Sequence, residues 1–235
     1  MNTFFVTGTD TGVGKTLASC ALLHAGNKLG FSTLGLKPLA AGCEETPQGL
    51  RNEDALALQE SSSIKLAYDQ VNPVALKQAL APHIAAANEG KRLSVDRLVG
   101  YLRGAFSHKG TSHKAGLCVI EGAGGWRVPL NQVERMSAIP KELNIPVILV
   151  VGVRLGCINH ALLTAEAIVR DGLQVAGWIG SVVDPKMPAQ DDNINTLKSL
   201  LPFPCLGCIP WLGAEPSPEL ASKDMTVDPL MVFGK

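Results

Sequence analysis

The chain has 235 residues, 46% of them hydrophobic, and its 21 lysines and arginines balance its 21 aspartates and glutamates. This length suits one large α/β domain, and a net charge of zero gives no indication of a nucleic-acid partner or a charged membrane surface. No apolar run reaches the ~20 residues needed to cross a bilayer and no charged-then-apolar leader precedes the first predicted strand, so we expect a cytoplasmic protein.

The first 16 residues contain the pattern of a phosphate-binding loop. Residues 3–7 predict a short buried strand, residues 8–14 a tight turn, and residues 15–29 a helix that opens from this turn. In such a loop, backbone N–H groups and the positive end of the helix dipole hold an oligophosphate without many charged side chains. The pattern therefore predicts nucleotide binding.

The residues of this loop suggest separate roles. Gly12 and Gly14 leave room for the phosphates, whereas Lys15 would reach β- and γ-phosphate oxygens. The hydroxyl of Thr16 would bind Mg²⁺. The spacing is a lengthened variant of G-x-x-x-x-G-K-[ST], because the first glycine lies one residue too far away and Thr9 takes its expected place. A chance Gly-Lys-Thr is the alternative, which the flanking strand and helix disfavour.

Six cysteines are spread along the chain, and most fall in apolar segments, so we expect buried free thiols. Cys205 and Cys208 have the spacing of a redox or zinc site. The chain has no second such pair, and the apolar run at residues 206–212 favours a strand instead. The six are Cys20, Cys43, Cys118, Cys157, Cys205 and Cys208.

After Gly30, which supplies a helix stop signal, residues 33–36 predict a second strand. Lys37 follows this strand. Because open α/β sheets place ligands at the carboxyl ends of their strands, Lys37 is a candidate anion contact. A solvated lysine at a strand end is the alternative.

Residues 40–53 are rich in Gly, Glu and Pro, and predict an irregular surface loop suited to covering a ligand. A short helix is predicted over residues 54–60. From local sequence alone, Asp54 is a helix-start residue.

Turns at residues 72–73 and 81–83 precede a helix that Ser94 is predicted to cap. Apolar residues recur on one side of this helix at helical spacing. They predict a core face, not a binding surface: Val95, Leu98, Val99, Leu102 and Phe106.

A continuous apolar run at residues 117–120 predicts a central parallel strand, because it shows no alternation. It ends in Glu121, and an acidic residue at this place is the usual second metal anchor of phosphate-loop proteins. An unpartnered buried carboxylate would be costly, which disfavours a purely structural role. The glycines from Gly122 to Gly125 let the backbone approach phosphates or a second substrate.

Residues 147–153 predict another buried strand, and a further helix runs to about residue 170. Its N-terminus faces the same sheet edge, where free N–H groups could hold a carboxylate. The alternative is that Asn159 simply caps this helix. His160 is expected near the surface.

The last predicted elements are a strand, a helix and a final strand, at residues 175–183, 191–201 and 205–209. Residues 213–235 carry no clear pattern. The alternation predicts one α/β domain over residues 1–235, a doubly wound and mainly parallel sheet with helices on both faces, of the P-loop NTPase type.

In this order, the motifs resemble the dethiobiotin synthetase family of biotin biosynthesis, and the match runs from residue 3 to residue 212. The ordered combination is far more specific than any one motif. The motifs are GTDTGVGKT at 8–16, GLKPLAAG at 35–42, LRNEDALAL at 50–58, Asn72-Pro73, Pro82-His83, EGAGGW at 121–126, GCINHA at 156–161 and IPWL at 209–212.

The resemblance implies a Mg²⁺- and ATP-dependent ligase. In that reaction 7,8-diaminononanoate takes up CO₂ as a carbamate, and ATP phosphorylates it to a carbamic-phosphoric anhydride. The second amine then closes the ring, and ADP and phosphate leave. No histidine or nucleophilic cysteine is needed, since phosphoryl transfer is mostly positioning and charge stabilisation. The resemblance also implies a homodimer that binds the diamino acid across its interface.

The same resemblance implies the site residues. Those that stabilise carbamate and phosphoryl charge are Lys15, Lys37 and Thr11, and those that hold Mg²⁺ are Thr16, Asp54 and Glu121. The implied ATP contacts are Gly12, Val13, Gly14, Lys15, Thr16, Leu17, Asp54, Glu121, Gly122, Ala123, Gly124, Ser181, Pro210, Trp211 and Leu212, the last three around the adenine. The implied diamino-acid contacts are Lys37, Ala41 and Gly124, with Cys157, Ile158 and Asn159 from the neighbouring subunit.

The sequence departs from the family pattern at two places. Ala41 stands where a relative carries serine, and Ser181 stands where an asparagine would read the adenine edge. Loss of a base-edge hydrogen bond relaxes discrimination, so we expect a weaker preference for ATP over other nucleoside triphosphates.

Two other functions are alternatives. A nucleotide-switched dimerising ATPase, like the plasmid-partition and septum-positioning proteins, would carry a signature lysine early in the loop, and Asp10 stands there instead. A nucleotide-binding protein without catalysis is disfavoured because the charged and hydroxyl residues are all present: Lys15, Thr16, Lys37, Asp54 and Glu121.

Overall fold

The computed structural model describes residues 1–107, 116–214 and 216–234. The strands are β1 (Asn2–Gly8), β2 (Ser32–Leu36), β3 (Leu39–Ala41), β4 (Glu44–Thr46), β5 (Gly49–Arg51), β6 (Val74–Leu76), β7 (Gly116–Gly125), β8 (Val147–Val153), β9 (Val175–Val182) and β10 (Cys205–Ile209). The helices are α1 (Lys15–Lys28), α2 (Glu53–Ser61), α3 (Tyr68–Val71), α4 (Pro82–Asn88), α5 (Val95–Phe106), α6 (Ala138–Leu143), α7 (Cys157–Arg170), α8 (Gln190–Leu200) and α9 (Pro218–Ala221), followed by 3-10 helices at Ser222–Asp224 and Asp228–Gly234.

Six strands form the central sheet in the order β10-β9-β8-β1-β7-β2, and every neighbouring pair is parallel. The chain leaves β1 toward β2 on one side and later adds β8, β9 and β10 on the other. Ligands of open α/β sheets bind at the carboxyl ends of the strands beside such a switch point. The predicted class, a doubly wound and mainly parallel α/β sheet, is confirmed.

Helices cover both faces of this sheet, as predicted. In β1, Phe4 and Val6 are buried against α1, whereas Phe5 is buried on the opposite face with residues of α5 and α6. A third cluster lies under α7 and α8 around Trp178. The period of two along β1 thus places alternate side chains in two separate cores. In the part of the chain that the structure describes, no helix is both long and apolar enough to span a bilayer.

The prediction of an irregular loop over residues 40–53 is wrong, because this segment contains regular strands. β4 and β5 pair as an antiparallel hairpin, and β3 pairs in parallel with β6, outside the central sheet. Strands of three residues are too short for a hydrophobic period to reveal them. For the same reason the sequence missed the short helices α3, α4 and α6, while the other predicted boundaries, apart from the end of β7, agree with the structure to within one residue.

The strand that carries Glu121 is longer than predicted. β7 runs on to Gly125, so Glu121 lies within the strand and not at its end. Glu121 is in register with Val6 and Gly125 with Gly8, with a shift in register between these pairs. Glycine has a low β propensity, so the glycine-rich end of the strand gave no strand signal.

The C-terminal segment, where no element was predicted, packs on the sheet. Ala221, Val227 and Leu230 are buried in the same core as α1. The rings of Phe4 and Phe233 meet edge to face with centroids 5.7 Å apart. This segment therefore covers the α1 side of the sheet near β1, β9 and β10.

Candidate active site

The loop between β1 and α1 presents backbone amides at the centre of the sheet edge. Gly14, which precedes α1, has a φ of 82°, in the left-handed region. A Cβ at Gly14 would lie 2.4 Å from Ser181 Oγ, so only glycine fits there. Because glycine has no side chain to cap the helix, the amides of the first turn are available to an anion.

Asp10 braces this loop, a role that the sequence analysis missed. Its Oδ1 accepts a hydrogen bond from Thr11 N–H at 2.7 Å, and its Oδ2 lies 2.7 Å from Arg154 Nη2. Lys15 Nζ donates to the Asp10 carbonyl at 3.0 Å. Arg154 directly follows β8, so its place after a central strand is the signal that could have found it, as it found Lys37.

Four side chains meet below the loop. The Thr16 hydroxyl lies 2.7 Å from Asp54 Oδ1 and 3.0 Å from Glu121 Oε1. Lys37 Nζ donates to Asp54 Oδ2 at 2.8 Å, to Glu121 Oε1 at 2.5 Å and to the Gly122 carbonyl at 3.3 Å. They come from the first turn of α1, the end of β2, the first turn of α2 and the middle of β7. The structure therefore brings together predicted residues that lie up to 105 positions apart.

The charges in this cluster stabilise one another. Burial acts to lower the pKa of Lys37, but attraction to Glu121 and Asp54 outweighs it and raises this pKa. Burial likewise acts to raise the pKa of Asp54, but attraction and hydrogen bonds from Lys37 hold it below its usual value. Lys15, by contrast, has a lowered pKa because it is buried, and an anion beside it would raise this pKa again.

Two local alternatives from the sequence are wrong, and a third is only partly right. Lys37 is not a solvated lysine, because its side chain is 4% exposed. Asp54 does lie at a helix start, in the first turn of α2, but Asn52 caps this helix, since its side chain accepts the Ala55 N–H. Gly156 precedes α7, so Asn159 does not cap that helix. Asp54 is thereby left free to join the cluster.

Thr16, Asp54 and Glu121 present the hard oxygen ligands that Mg²⁺ prefers. Glu121 Oε2 is buried and makes no hydrogen bond to residues in the described ranges. Such an atom costs free energy unless a cation or a ligand contacts it. Two carboxylates and a hydroxyl suit a Mg²⁺ whose other ligands are phosphate oxygens and water, so these residues fit the predicted ion.

A cleft of about 900 Å³ opens above this cluster. Eleven of the predicted site residues line it, together with residues such as Asn52, Leu80 and Pro129 that were not predicted. The eleven are Thr11, Gly12, Gly14, Lys15, Thr16, Lys37, Ala41, Asp54, Glu121, Ala123 and Gly124. Nucleotide phosphates and a small substrate could therefore share one cavity.

The other predicted residues lie outside the walls of this cleft. Val13 packs under the loop against Gly152, and Ser181 lies buried beside Gly14. Residues 210–212 follow β10 at the same sheet edge, where Trp211 is half-exposed. The remaining ones are Leu17, Gly122 and the first turn of α7, with Cys157, Ile158 and Asn159.

We expect the cluster to make stability depend on pH at both ends of the scale when Mg²⁺ is chelated. The folded pKa of Asp54 is depressed, so its contribution is complete above the unfolded pKa, near 3.8, and is lost as pH falls through the folded value. The folded pKa of Lys37 is raised, so its contribution is complete below 10.5 and is lost as pH rises through the folded value. Urea unfolding across pH checks this, and Asp54→Asn should flatten the acid limb; an unchanged acid limb would contradict it.

The chain is similar to known proteins in both sequence and structure. Residues 2–215 match a family described as AAA domain. The chain is 51% identical, over 98% of both chains, to the ATP-dependent dethiobiotin synthetase BioD of Marinobacter nauticus, and 53% identical, over 97% of both, to that of Cellvibrio japonicus. The cell division ATPase MinD of Pyrococcus furiosus has a TM-score of 0.53 and 17% identity, covering 100% of this chain and 96% of its own. At that identity, MinD shows the fold alone.

Proposed function

The chain belongs to the family of ATP-dependent dethiobiotin synthetases, and on that premise we propose that it converts 7,8-diaminononanoate, CO₂ and ATP into dethiobiotin in a Mg²⁺-dependent ring closure. One observation carries the proposal. The amides of the phosphate loop, the Lys37 ammonium and the two carboxylates of Asp54 and Glu121 border a single cleft.

The reaction needs no covalent enzyme intermediate. One substrate amine adds to CO₂ and loses a proton, which gives a carbamate. A carbamate oxygen then attacks the γ-phosphorus of ATP and ADP leaves, which forms a carbamic-phosphoric anhydride. The second amine attacks the carbonyl carbon, phosphate leaves, and the urea ring closes. Each step depends on orientation and on stabilising negative charge.

Three residues of the cleft are suited to stabilise the negative charge of the reacting groups. Lys15 crosses the loop toward Asp10 and would turn its ammonium to phosphate oxygens. Lys37 already binds carboxylate oxygens, and a carbamate offers the same acceptor, so Lys37 could exchange one for the other. Thr11 lines the cleft beside them and supplies a hydroxyl donor. Together they would stabilise charge where the carbamate and the γ-phosphate meet.

Mg²⁺ would be held by Thr16, Asp54 and Glu121, and when bound it would neutralise charge on the phosphates. Asp54 and Glu121 are pre-positioned for this, because Thr16 and Lys37 already fix their oxygens. Glu121 also keeps one oxygen, Oε2, without a hydrogen bond to the described residues.

We also propose a homodimer, in which the substrate carboxylate binds the first turn of α7 in the neighbouring subunit. The Cys157 N–H donates to the Arg154 carbonyl, and the first bond of the helix itself is from His160 N–H to the Gly156 carbonyl. The amides of Ile158 and Asn159 lie between these and could donate hydrogen bonds to an anion. Leu155, beside them, is 86% exposed, as expected of a residue that a second subunit covers.

We expect the nucleotide preference to be weak. Ser181 is short, buried, and packed against Gly14, so its hydroxyl is poorly placed to read a base edge. A missing base-edge hydrogen bond removes discrimination, so GTP or CTP should support turnover within about tenfold of ATP. Initial rates with the three nucleotides at equal concentration check this, and an ATP preference of several hundredfold would contradict it.

The deciding experiment follows ADP and dethiobiotin in the same reaction. The purified protein is given ATP, Mg²⁺ and bicarbonate, with and without 7,8-diaminononanoate, and a chelated sample serves as the metal control. We expect both products to appear in equal amounts only when the diamine and Mg²⁺ are present. ADP release at the same rate with and without the diamine would favour a switch-type ATPase. The absence of any ADP release would favour a protein that only binds nucleotide.

A further inference from the structure

Two cysteines on β10 differ from the other four in the chain. Cys205 and Cys208 are partly exposed, whereas Cys20, Cys43, Cys118 and Cys157 are buried. The Sγ atoms of Cys205 and Cys208 lie 3.9 Å apart, in a sulfur–sulfur hydrogen bond. The two thiols are therefore close to each other and also open to a small reagent.

An irregularity in β10 creates this contact. In a regular strand, residues three positions apart point to opposite faces and lie about 10 Å apart. The pairing of β10 with β9 shifts register between Cys205 and Gly207, which turns the two side chains together. Gly207 has a φ of 153°, and a Cβ on it would lie 2.1 Å from the Asp224 carbonyl oxygen, so the bulge requires glycine. The Thr226 N–H bond to the Leu206 carbonyl, 2.8 Å long, fixes it from the other side.

We propose that Cys205 and Cys208 form a dithiol site that exchanges with a small-molecule disulfide such as oxidised glutathione, and that closing this site into a disulfide weakens nucleotide binding. The four buried cysteines take no part. The inference concerns ADP affinity and thiol state, so it does not depend on which product the enzyme makes.

The exchange needs no other reactant. The Cys205 thiolate attacks one sulfur of the small disulfide, and one small thiolate leaves. Cys208 then gives up its proton and attacks the Cys205 sulfur, which releases the second small thiolate. Two protein thiols thus become one disulfide, and the small disulfide becomes two thiols. A hydrogen bond from Cys208 lowers the pKa of Cys205 to about 6, despite burial, while the pKa of Cys208 is raised, so Cys205 is the attacking group.

The link to the nucleotide comes from the end of the strand. A disulfide has its sulfurs about 2.05 Å apart, so the two Sγ atoms must approach by nearly half their present separation. Cys208 is followed by Ile209, which pairs with Ser181 beside the phosphate loop. Residues 210–212, the predicted adenine contacts, come next. Closing the disulfide would therefore shift the backbone after Cys208, on the side of the nucleotide site where the base is expected.

The test uses the full-length protein, reduced and then equilibrated with reduced and oxidised glutathione in varied ratio. After alkylation and trypsin cleavage, mass spectrometry measures the mass of the peptide of residues 199–223, which contains both cysteines. We expect it to lose two hydrogen atoms and both alkyl groups as the ratio becomes oxidising. We further expect ADP to bind the oxidised protein roughly fivefold or more weakly than the reduced protein.

Two variants are the controls. ADP binding by Cys208→Ser should not respond to the ratio, whereas Cys43→Ser, at a buried cysteine outside the pair, should respond like the wild type. A peptide that still carries two alkyl groups under oxidising conditions would overturn the proposal. Equal ADP affinity of the oxidised and reduced wild type would overturn its nucleotide part. Both results differ from failure of the proposed function, which concerns dethiobiotin and is measured separately.

Discussion

Replacing Lys37 by glutamine is expected to lower the turnover of dethiobiotin formation by about 10³-fold or more, while ADP affinity in Mg²⁺ changes by less than about tenfold. Lys37 forms ion pairs with both carboxylates, at 2.8 Å from Asp54 and 2.5 Å from Glu121. Glutamine keeps a hydrogen-bond donor but no charge, so it cannot stabilise an anionic carbamate. Steady-state turnover and a separate ADP titration measure the two effects.

The same variant should also be less stable when Mg²⁺ is chelated. Removing one partner of a buried ion pair costs about 3–5 kcal/mol, because the remaining charge is left without compensation. Mg²⁺ should recover most of this loss, since it would bind the same carboxylates. Lys77→Gln breaks an exposed pair with Glu45 and is the matched control, for which neither turnover nor stability should change. Normal turnover of Lys37→Gln would remove Lys37 from the mechanism.

Replacing Glu121 by glutamine is expected to raise the Mg²⁺ concentration needed for half-maximal turnover by about 100-fold or more. Glu121 is 1% exposed, accepts hydrogen bonds from Thr16 and Lys37 through Oε1, and has no such bond at Oε2 among the described residues. Glutamine has the same shape, so packing is kept. The charge is lost, and one carboxylate oxygen becomes an amide that cannot bind a cation. Turnover against Mg²⁺ concentration measures the effect.

Glu45→Gln is the control for this substitution, because Glu45 is exposed, pairs with Lys77, and like Lys77 does not line the cleft. Its Mg²⁺ dependence should match that of the wild type. Thermal unfolding with and without Mg²⁺ separates metal binding from catalysis: Mg²⁺ should stabilise the wild type and Glu45→Gln, but not Glu121→Gln. If Glu121→Gln kept the wild-type Mg²⁺ dependence, Glu121 would not be a metal ligand.

Strong local sequence patterns were enough to predict most elements of the architecture. Uninterrupted apolar runs such as residues 147–153 correctly predicted buried parallel strands, because a strand covered on both faces needs apolar side chains at every position. Ser94 correctly predicted the start of α5, since its hydroxyl accepts the Arg97 N–H. The segment from β3 to β5 was missed, because strands of three residues are too short to show a hydrophobic period, and because β3 pairs with β6, which lies much later in the chain.

The sequence by itself determined the strands of the central sheet, the phosphate loop and the choice of candidate site residues, because each follows from a local pattern or a family motif. These candidates are Lys15, Thr16, Lys37, Asp54 and Glu121. Only the tertiary structure decided how these residues meet. That Lys37 lies between two carboxylates, that Asn52 frees Asp54 from capping, and that Asp10 holds Arg154 all depend on contacts between distant segments. Local sequence cannot set such contacts, since the folding of the whole sheet fixes the distances between its strand ends.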